Sequence, residues 1–280
     1  VFGGKLKKLD GEAAKAMKGV RHVVEVPSGA AVVADHYWAA KKGAEALKLE
    51  WDLGAGADFS TESQARDLDQ LLAGEGAEAK RVGDVAAVMG EAKDPIAGEF
   101  DFPYLAHAPM EPMNATADVR ADGVTVWAPT QFQTLDQMAA AKIAGVAPDK
   151  VVLHTTLLGG GFGRRANPAS DFVSEAVAVS KAVGAPVKVI WTREDDTRGG
   201  YYRPRTRVSA QLSLDSDKQP EALRVKIANQ SIMEGTPFGA AMAATGVDPS
   251  QVEGLDDWPY ATPNLLVSYH KASAAVPVLW

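Results

Sequence analysis

The chain has no cysteine among its 280 residues. That excludes disulfides, zinc–thiolate sites and cysteine-ligated iron–sulfur clusters within it. Histidine is scarce as well. Its five copies are scattered, with no His-x-x-x-His spacing, so a transition metal held by protein side chains is not expected. Any redox metal would have to arrive on an organic cofactor. No apolar run approaches the roughly 18 residues that a membrane-crossing helix needs. Basic residues are in deficit, 29 Lys and Arg against 36 Asp and Glu, and a net charge of −7 argues against a nucleic-acid surface. Val1 opens the chain without a basic region or an apolar core, so no signal peptide is read. Residues 276–280 read as a strand cut in mid-course, and the sequence is expected to be a piece of something longer.

What is present suffices for two domains. A hydrophobic content of 46% supports proper cores at this length. Residues 20–26 alternate toward a strand, Pro27-Ser28-Gly29 makes a turn, and 30–34 returns as a second strand. Asp35 is the expected N-cap of a helix over 36–48, followed by a strand at 49–51. Over 54–96 alanine, glycine and charge dominate. That stretch reads as a connector carrying one helix at 62–73.

A second region begins near residue 98. A strand at 124–127 leads through Pro129-Thr130-Gln131 to a helix whose expected capping box is Thr134-Leu135-Asp136-Gln137. Leu135, Met138, Ala139 and Ile143 mark its expected buried stripe, and Gly145 its end. The apolar run 151–158 reads as a buried strand. Ser170 is the expected cap of a helix buried through Phe172, Ala176, Val179 and Val183, stopped by Gly184 and Pro186. A strand follows at 187–191. Residues 207–214 and 223–230 then pair as antiparallel strands across the turn 215–220.

The chemistry concentrates where the run 151–158 empties into Gly159-Gly160-Gly161-Phe162-Gly163-Arg164-Arg165. Glycines permit positive φ and let a ligand approach bare amides, and a cationic turn of this kind suits an anion. A valine at position 161 is expected to block both positive φ and close approach. One reading is a dinucleotide site of a dehydrogenase, because Gly161 to Ala166 fits G-x-G-x-x-A and Glu194 ends a later strand. Against it, Asn167-Pro168 intervenes, and the residue before proline is pushed out of helical space. The helix therefore cannot start inside the glycine pattern.

The other reading is a resemblance. Gly159 to Arg165 is similar to the GGGFG loop of the molybdenum hydroxylases, the xanthine dehydrogenase and aldehyde oxidase family. Ala106-His107-Ala108-Pro109-Met110-Glu111-Pro112 resembles the segment that opens that family's molybdopterin-binding region. Pro129-Thr130-Gln131 resembles its glutamine motif, and Trp191 to Asp196 its acidic strand end. Within the family, Arg164-Arg165 and the Tyr260-Ala261-Thr262-Pro263-Asn264 stretch look most like large subunits of the isoquinoline 1-oxidoreductase type.

The resemblance implies a mixed α/β (α+β) fold. A hammerhead-type α+β domain with its connector would occupy 1–97, and the first molybdopterin-binding domain, with mixed sheets, 98–280. It implies a molybdopterin carrying molybdenum, in the cytosine dinucleotide form. Gly160, Gly161, Phe162, Gly163, Arg164 and Gln131 are then expected at the cofactor, with Gln131 and Phe162 nearest the reaction. The implied activity is hydroxylation of an aromatic N-heterocycle or an aldehyde with water-derived oxygen. Partners would be a small [2Fe-2S] subunit and a cytochrome electron acceptor, and the location periplasmic. Many relatives carry a glutamate where Ala166 stands, so the substrate pocket must differ. The family's general-base glutamate belongs to a later region of the full subunit, and residues 1–280 alone are expected to be inactive. A parent that kept the fold but lost the cofactor would be an interaction module instead.

Other candidates have plainer readings. His107 is expected to be structural, and Glu111 to position or cap the loop. Glu194-Asp195-Asp196 reads as a helix start, Trp258 and Tyr260 as core or interface aromatics. Arg198, Arg203, Arg205 and Arg207 form a solvated basic loop or a contact to the rest of the parent.

Overall fold

A computed structural model describes residues 2–236 and 239–280. Two compact units interleave along the chain. The first comprises Val1–Ala57, Ala106–Tyr201 and Trp280, and the second Asp58–Leu105 and Tyr202–Leu279. The expected division at 97/98 is sequential, and that point lies inside the strand Ile96–Phe102.

In the first unit, strands Val20–Val26 and Gly29–Ala34 form the expected hairpin. The following helix, Tyr37–Glu45, is capped by His36, whose Nδ1 accepts the Ala39 N–H at 3.3 Å. Asp35 is not the cap, because its carboxylate is engaged by Arg21 at 2.7 Å. The last strand, Lys48–Asp52, pairs with Lys5–Asp10.

A four-stranded mixed sheet carries the rest of this unit, in the order Val151–Thr155, Gly123–Ala128, Asn114–Arg120, Val187–Ile190. Only the first two are parallel. Helices Gln133–Ala144 and Asp171–Val183 share its core, in which Ala115, Ala117, Val124 and Val126 meet Ala140, Phe172, Val173 and Val177. Small residues on both sides let helix and sheet approach closely. Gly145 and Gly184 end the two helices in left-handed conformation, as their C-terminal glycines predicted.

Two helix details differ from expectation. Gln133–Ala144 buries Asp136, Ala140 and Ala141, one step round from the expected stripe, while Met138 is exposed. Its start carries no capping box, because Thr134 already lies within the helix and Phe132 is the cap residue. Thr130 organises this end instead: its hydroxyl accepts the Phe132 N–H at 2.9 Å and donates to the buried Asp136 carboxylate. At the second helix Ser170 sits at φ 49° and caps nothing, and Asn167 Oδ1 accepts the Asp171 N–H at 3.1 Å.

The second unit is built on a five-stranded sheet in the order Ala77–Val82, Asn264–Ala272, Pro220–Gln230, Thr206–Leu214, Ile96–Phe102. The pair expected over 207–214 and 223–230 is present. The stretch 54–96 is more than a connector. It supplies the edge strand Ala77–Val82, leads into the opposite edge strand at Ile96, and carries the helix Thr61–Ala73, capped by Ser60 and packed through fully buried Leu68 against Ala228 and Ala272. The opposite face buries Val225, Ile227, Val267 and Tyr269 beneath Val247 and Val252. Residues 276–280 do not form the expected strand; one parallel bridge joins Val278 to Tyr202. Among the described residues no helix is long and apolar enough to cross a membrane.

Candidate functional site

The run expected to be a buried strand forms the edge strand Val151–Thr155, in which only Val151 is buried and Val152 faces solvent, because an edge strand is covered on one side alone. Leu157 is 97% exposed and Leu158 is exposed too, so the loop begins three residues earlier than its apolar sequence suggests. Past Leu158 the backbone turns sharply, with φ 98° at Gly160, 54° at Phe162 and 93° at Gly163. Phe162 holds a left-handed conformation without being glycine, and the residue is 72% exposed. Gly161 does not need positive φ. Its requirement is steric, since a Cβ there would overlap the Gln131 amide.

Glu111 closes the loop from below. Its N–H donates to Gly159 O at 3.0 Å, and its Oε2 accepts the Gly159 N–H at 3.0 Å. Asn114 donates to Oε1 at 2.9 Å. Burial alone would push the Glu111 carboxyl up. The Asn114 and Gly159 donors together with the Arg165 charge hold it below the usual range, hence ionised at neutral pH.

The two arginines, adjacent in sequence, are both buried. Arg165 donates from Nε to Gly160 O at 2.8 Å, and from Nη2 to Glu111 O at 2.8 Å and Glu111 Oε2 at 2.9 Å. Arg164, expected on the cofactor, points its charge inward. It makes a bidentate pair with Asp171, at 3.2 and 2.6 Å, and lies over the rings of Trp191 and Tyr201. Its guanidinium is therefore committed inside the protein, and only its backbone belongs to the loop.

Gln131 stands beside Gly161. Its N–H donates to Arg165 O at 3.2 Å, and its side-chain oxygen accepts the Arg165 N–H at 3.3 Å. The amide nitrogen makes no hydrogen bond among the described residues, and the residue is exposed. The structure thus brings Gln131, Gly160, Gly161, Phe162 and Gly163 together and withholds the Arg164 side chain.

The remaining candidates fall mostly to their plainer readings. His107 contacts two main-chain oxygens, Tyr201 O at 3.2 Å through Nδ1 and Trp280 O through Nε2. Thr192 and Asp195 form a capping box for the helix Arg193–Gly199. Asp196 is buried against Arg193, and burial pushes its carboxyl up. Arg205 and Arg207 bond Asp101 within the second unit, so they form no free basic patch. Trp258 and Tyr260 pack with ring centroids 4.9 Å apart and planes tilted by 59°, with Tyr260 mostly exposed.

The loop does not support the dehydrogenase type of dinucleotide site, which needs a helix N-terminus at the pyrophosphate. The nearest long helix starts at Asp171, and its first two N–H groups are already bonded to Asn167 and Asp171 side chains. Among the described residues no cluster of His, Asp or Glu could hold a metal ion. The sequence reading missed Asn114, Asp171 and the Thr130–Asp136 pair. Only the four-residue step from Asn167 to Asp171 hinted at any of them.

A family model described as the molybdopterin cofactor-binding domain matches residues 71–270. The isoquinoline 1-oxidoreductase subunit beta of Brevundimonas diminuta is 33% identical over 237 residues, covering 80% of this chain and 30% of that protein. A membrane-bound aldehyde dehydrogenase [pyrroloquinoline-quinone] of Gluconacetobacter polyoxogenes is 33% identical over 271 residues, covering 92% and 33%. Among solved structures, the aldehyde oxidoreductase of Desulfovibrio gigas superposes with a TM-score of 0.70 at 18% identity, over 99% of this chain and 34% of that one. Quinoline 2-oxidoreductase of Pseudomonas putida 86 gives 0.69 at 19% identity, over 99% and 40%. The chain spans about a third of the length of the curated relatives it matches.

Proposed function

Since the chain belongs to the molybdopterin cofactor-binding domain family, we propose that it forms one side of the cofactor site in the large subunit of a molybdenum hydroxylase. The cofactor is a molybdopterin in its cytosine dinucleotide form, and the substrate an aromatic N-heterocycle or an aldehyde. When bound, that group supplies the redox centre at which a carbon is hydroxylated with oxygen from water. Residues 1–52 make up the hammerhead-like part. The iron–sulfur clusters belong to a separate small [2Fe-2S] subunit, which passes electrons to a cytochrome in the periplasm; a chain without cysteine holds none itself.

One observation carries this reading. Beside the glycine loop, the Gln131 amide nitrogen is left without a partner among the described residues. Next to it the Gly159–Gly160 backbone, partly open and without side chains, lets a flat, polar ligand approach. Gln131 donates a hydrogen bond to an oxygen of that ligand. Exposed Phe162 covers the site and keeps water from it. The Arg164 side chain takes no part, and phosphates are met by backbone amides.

Elemental analysis of the parent subunit, purified with its small partner, tests the proposal. Equimolar molybdenum and CMP released by acid hydrolysis are expected. Pyrroloquinoline quinone in place of molybdenum would transfer the site to the cofactor named for the Gluconacetobacter relative. Neither group, from a host able to make both, would leave the fold as an interaction module.

A further inference from the structure

A side-chain amide has an accepting end and a donating end, and which end it presents to a ligand decides what it can recognise. For Gln131 the choice is made by its neighbour. The Arg165 peptide N–H can only donate, so the group facing it at 3.3 Å must be the amide oxygen. The reversed amide would set donor against donor. The NH2 end is then the one left free.

That outcome depends on the Arg165 main chain staying where it is, and the Arg165 side chain holds it there. Its planar fork spans Gly160 O, Glu111 O and Glu111 Oε2 at 2.8, 2.8 and 2.9 Å. The same Glu111 oxygen takes the Gly159 N–H, so one carboxylate ties both the start of the glycine loop and the residue after it. Burial makes this arrangement strict. Arg165 is fully buried, and its charge needs the Glu111 counter-charge to remain there.

We propose that the Glu111–Arg165 ion pair is a positioning device that fixes the polarity of Gln131, holding its oxygen inward and leaving its NH2 group as the donor offered to the ligand. Neither member of the pair touches the ligand. The inference rests on the reading of the site as a molybdopterin site, and it deepens that reading.

The test uses the parent subunit with its partner, produced both with and without the pterin. The variants are E111Q, R165M and the double variant E111Q/R165M. The double variant removes both charges, so it leaves no lone buried charge if a single variant fails to fold. Hydrogen exchange over 159–165 in pterin-free protein reads the device directly. Exchange there should accelerate at least about tenfold in each folded variant, while 220–230 keeps its original rate. In the loaded enzyme, kcat should fall at least about tenfold with KM within about twofold of the original. Unchanged exchange over 159–165 would overturn the proposal. Acceleration that spreads equally to 220–230 would overturn it too, since the pair would then serve general stability. A subunit without molybdenum would overturn the reading of the site and leave the exchange result standing.

Discussion

At the scale of single residues, the glycine loop shows how one amino-acid type serves different ends. Gly160 and Gly163 are there for backbone conformation, Gly159 and Gly161 for the room taken by Glu111 and Gln131. The motif marked the loop in the sequence, but the division of labour depends on partners 30 to 50 positions away and was not legible. The positive φ expected at position 161 is not required there. The expected harm from a larger residue survives for the steric reason. Gly161→Ala in the parent enzyme should displace the Gln131 amide and lower kcat at least about tenfold, with a smaller loss of bound molybdenum. Steady-state kinetics beside metal analysis checks this; equal losses would assign the glycine to cofactor retention alone. Arg164 illustrates the opposite difficulty. A basic residue in a glycine-rich turn reads as a ligand contact, and its actual partners, Asp171, Trp191 and Tyr201, come from three later segments.

At the scale of elements, strands and helix ends were the readable features. The hairpin, the antiparallel pair and both glycine stops follow from alternation and C-terminal glycines, which act locally. The stretch 54–96 was misjudged because its burial rests on few apolar side chains. Helix Thr61–Ala73 is anchored chiefly by Leu68, and strand Ala77–Val82 turns only small alanines to the core. Low hydrophobicity passed for exposure. If this stretch is part of the second unit's core, Leu68→Ala should cost roughly 2–5 kcal/mol, where a surface connector would lose well under 1. Denaturant unfolding, followed by hydrogen exchange over 220–230, measures it. The stripe of helix Gln133–Ala144 was misplaced by one step for a related reason: it buries a carboxylate, Asp136, held by Thr130, which a hydrophobic pattern cannot anticipate.

For the molecule as a whole, the two units should answer acid in opposite ways. In the second, His270 is buried beside Ser268, and burial together with Lys226 holds its pKa below 6.5. The unfolded chain then binds the proton more readily. The second unit loses stability as pH falls from 6.5 toward the lower folded value. In the first unit, burial raises the carboxyl of Glu175, which accepts from Trp191 Nε1 at 2.7 Å, above 4.5. Here the folded chain holds the proton better, so stability rises as pH falls through that raised value toward 4.5. Between about pH 7 and pH 5, exchange protection over 264–272 should therefore fall while that over 171–183 holds or improves. Parallel loss in both would refute the assignment.

The interleaving of the units also sets a timetable for synthesis. Among the described residues, strand Ile96–Phe102 pairs only with Thr206–Leu214, and Ala77–Val82 only with Asn264–Ala272. The stretch in between, Ala106–Tyr201, belongs to the other unit. A ribosome adding 5–20 residues per second would leave the earlier strand unpaired for about 5–20 s while that intervening stretch emerges. Throughout that interval Ile96, Phe100 and Phe102, still exposed in the finished protein, form an open edge on a nascent chain. A chaperone that covers extended apolar segments has its natural point of entry there.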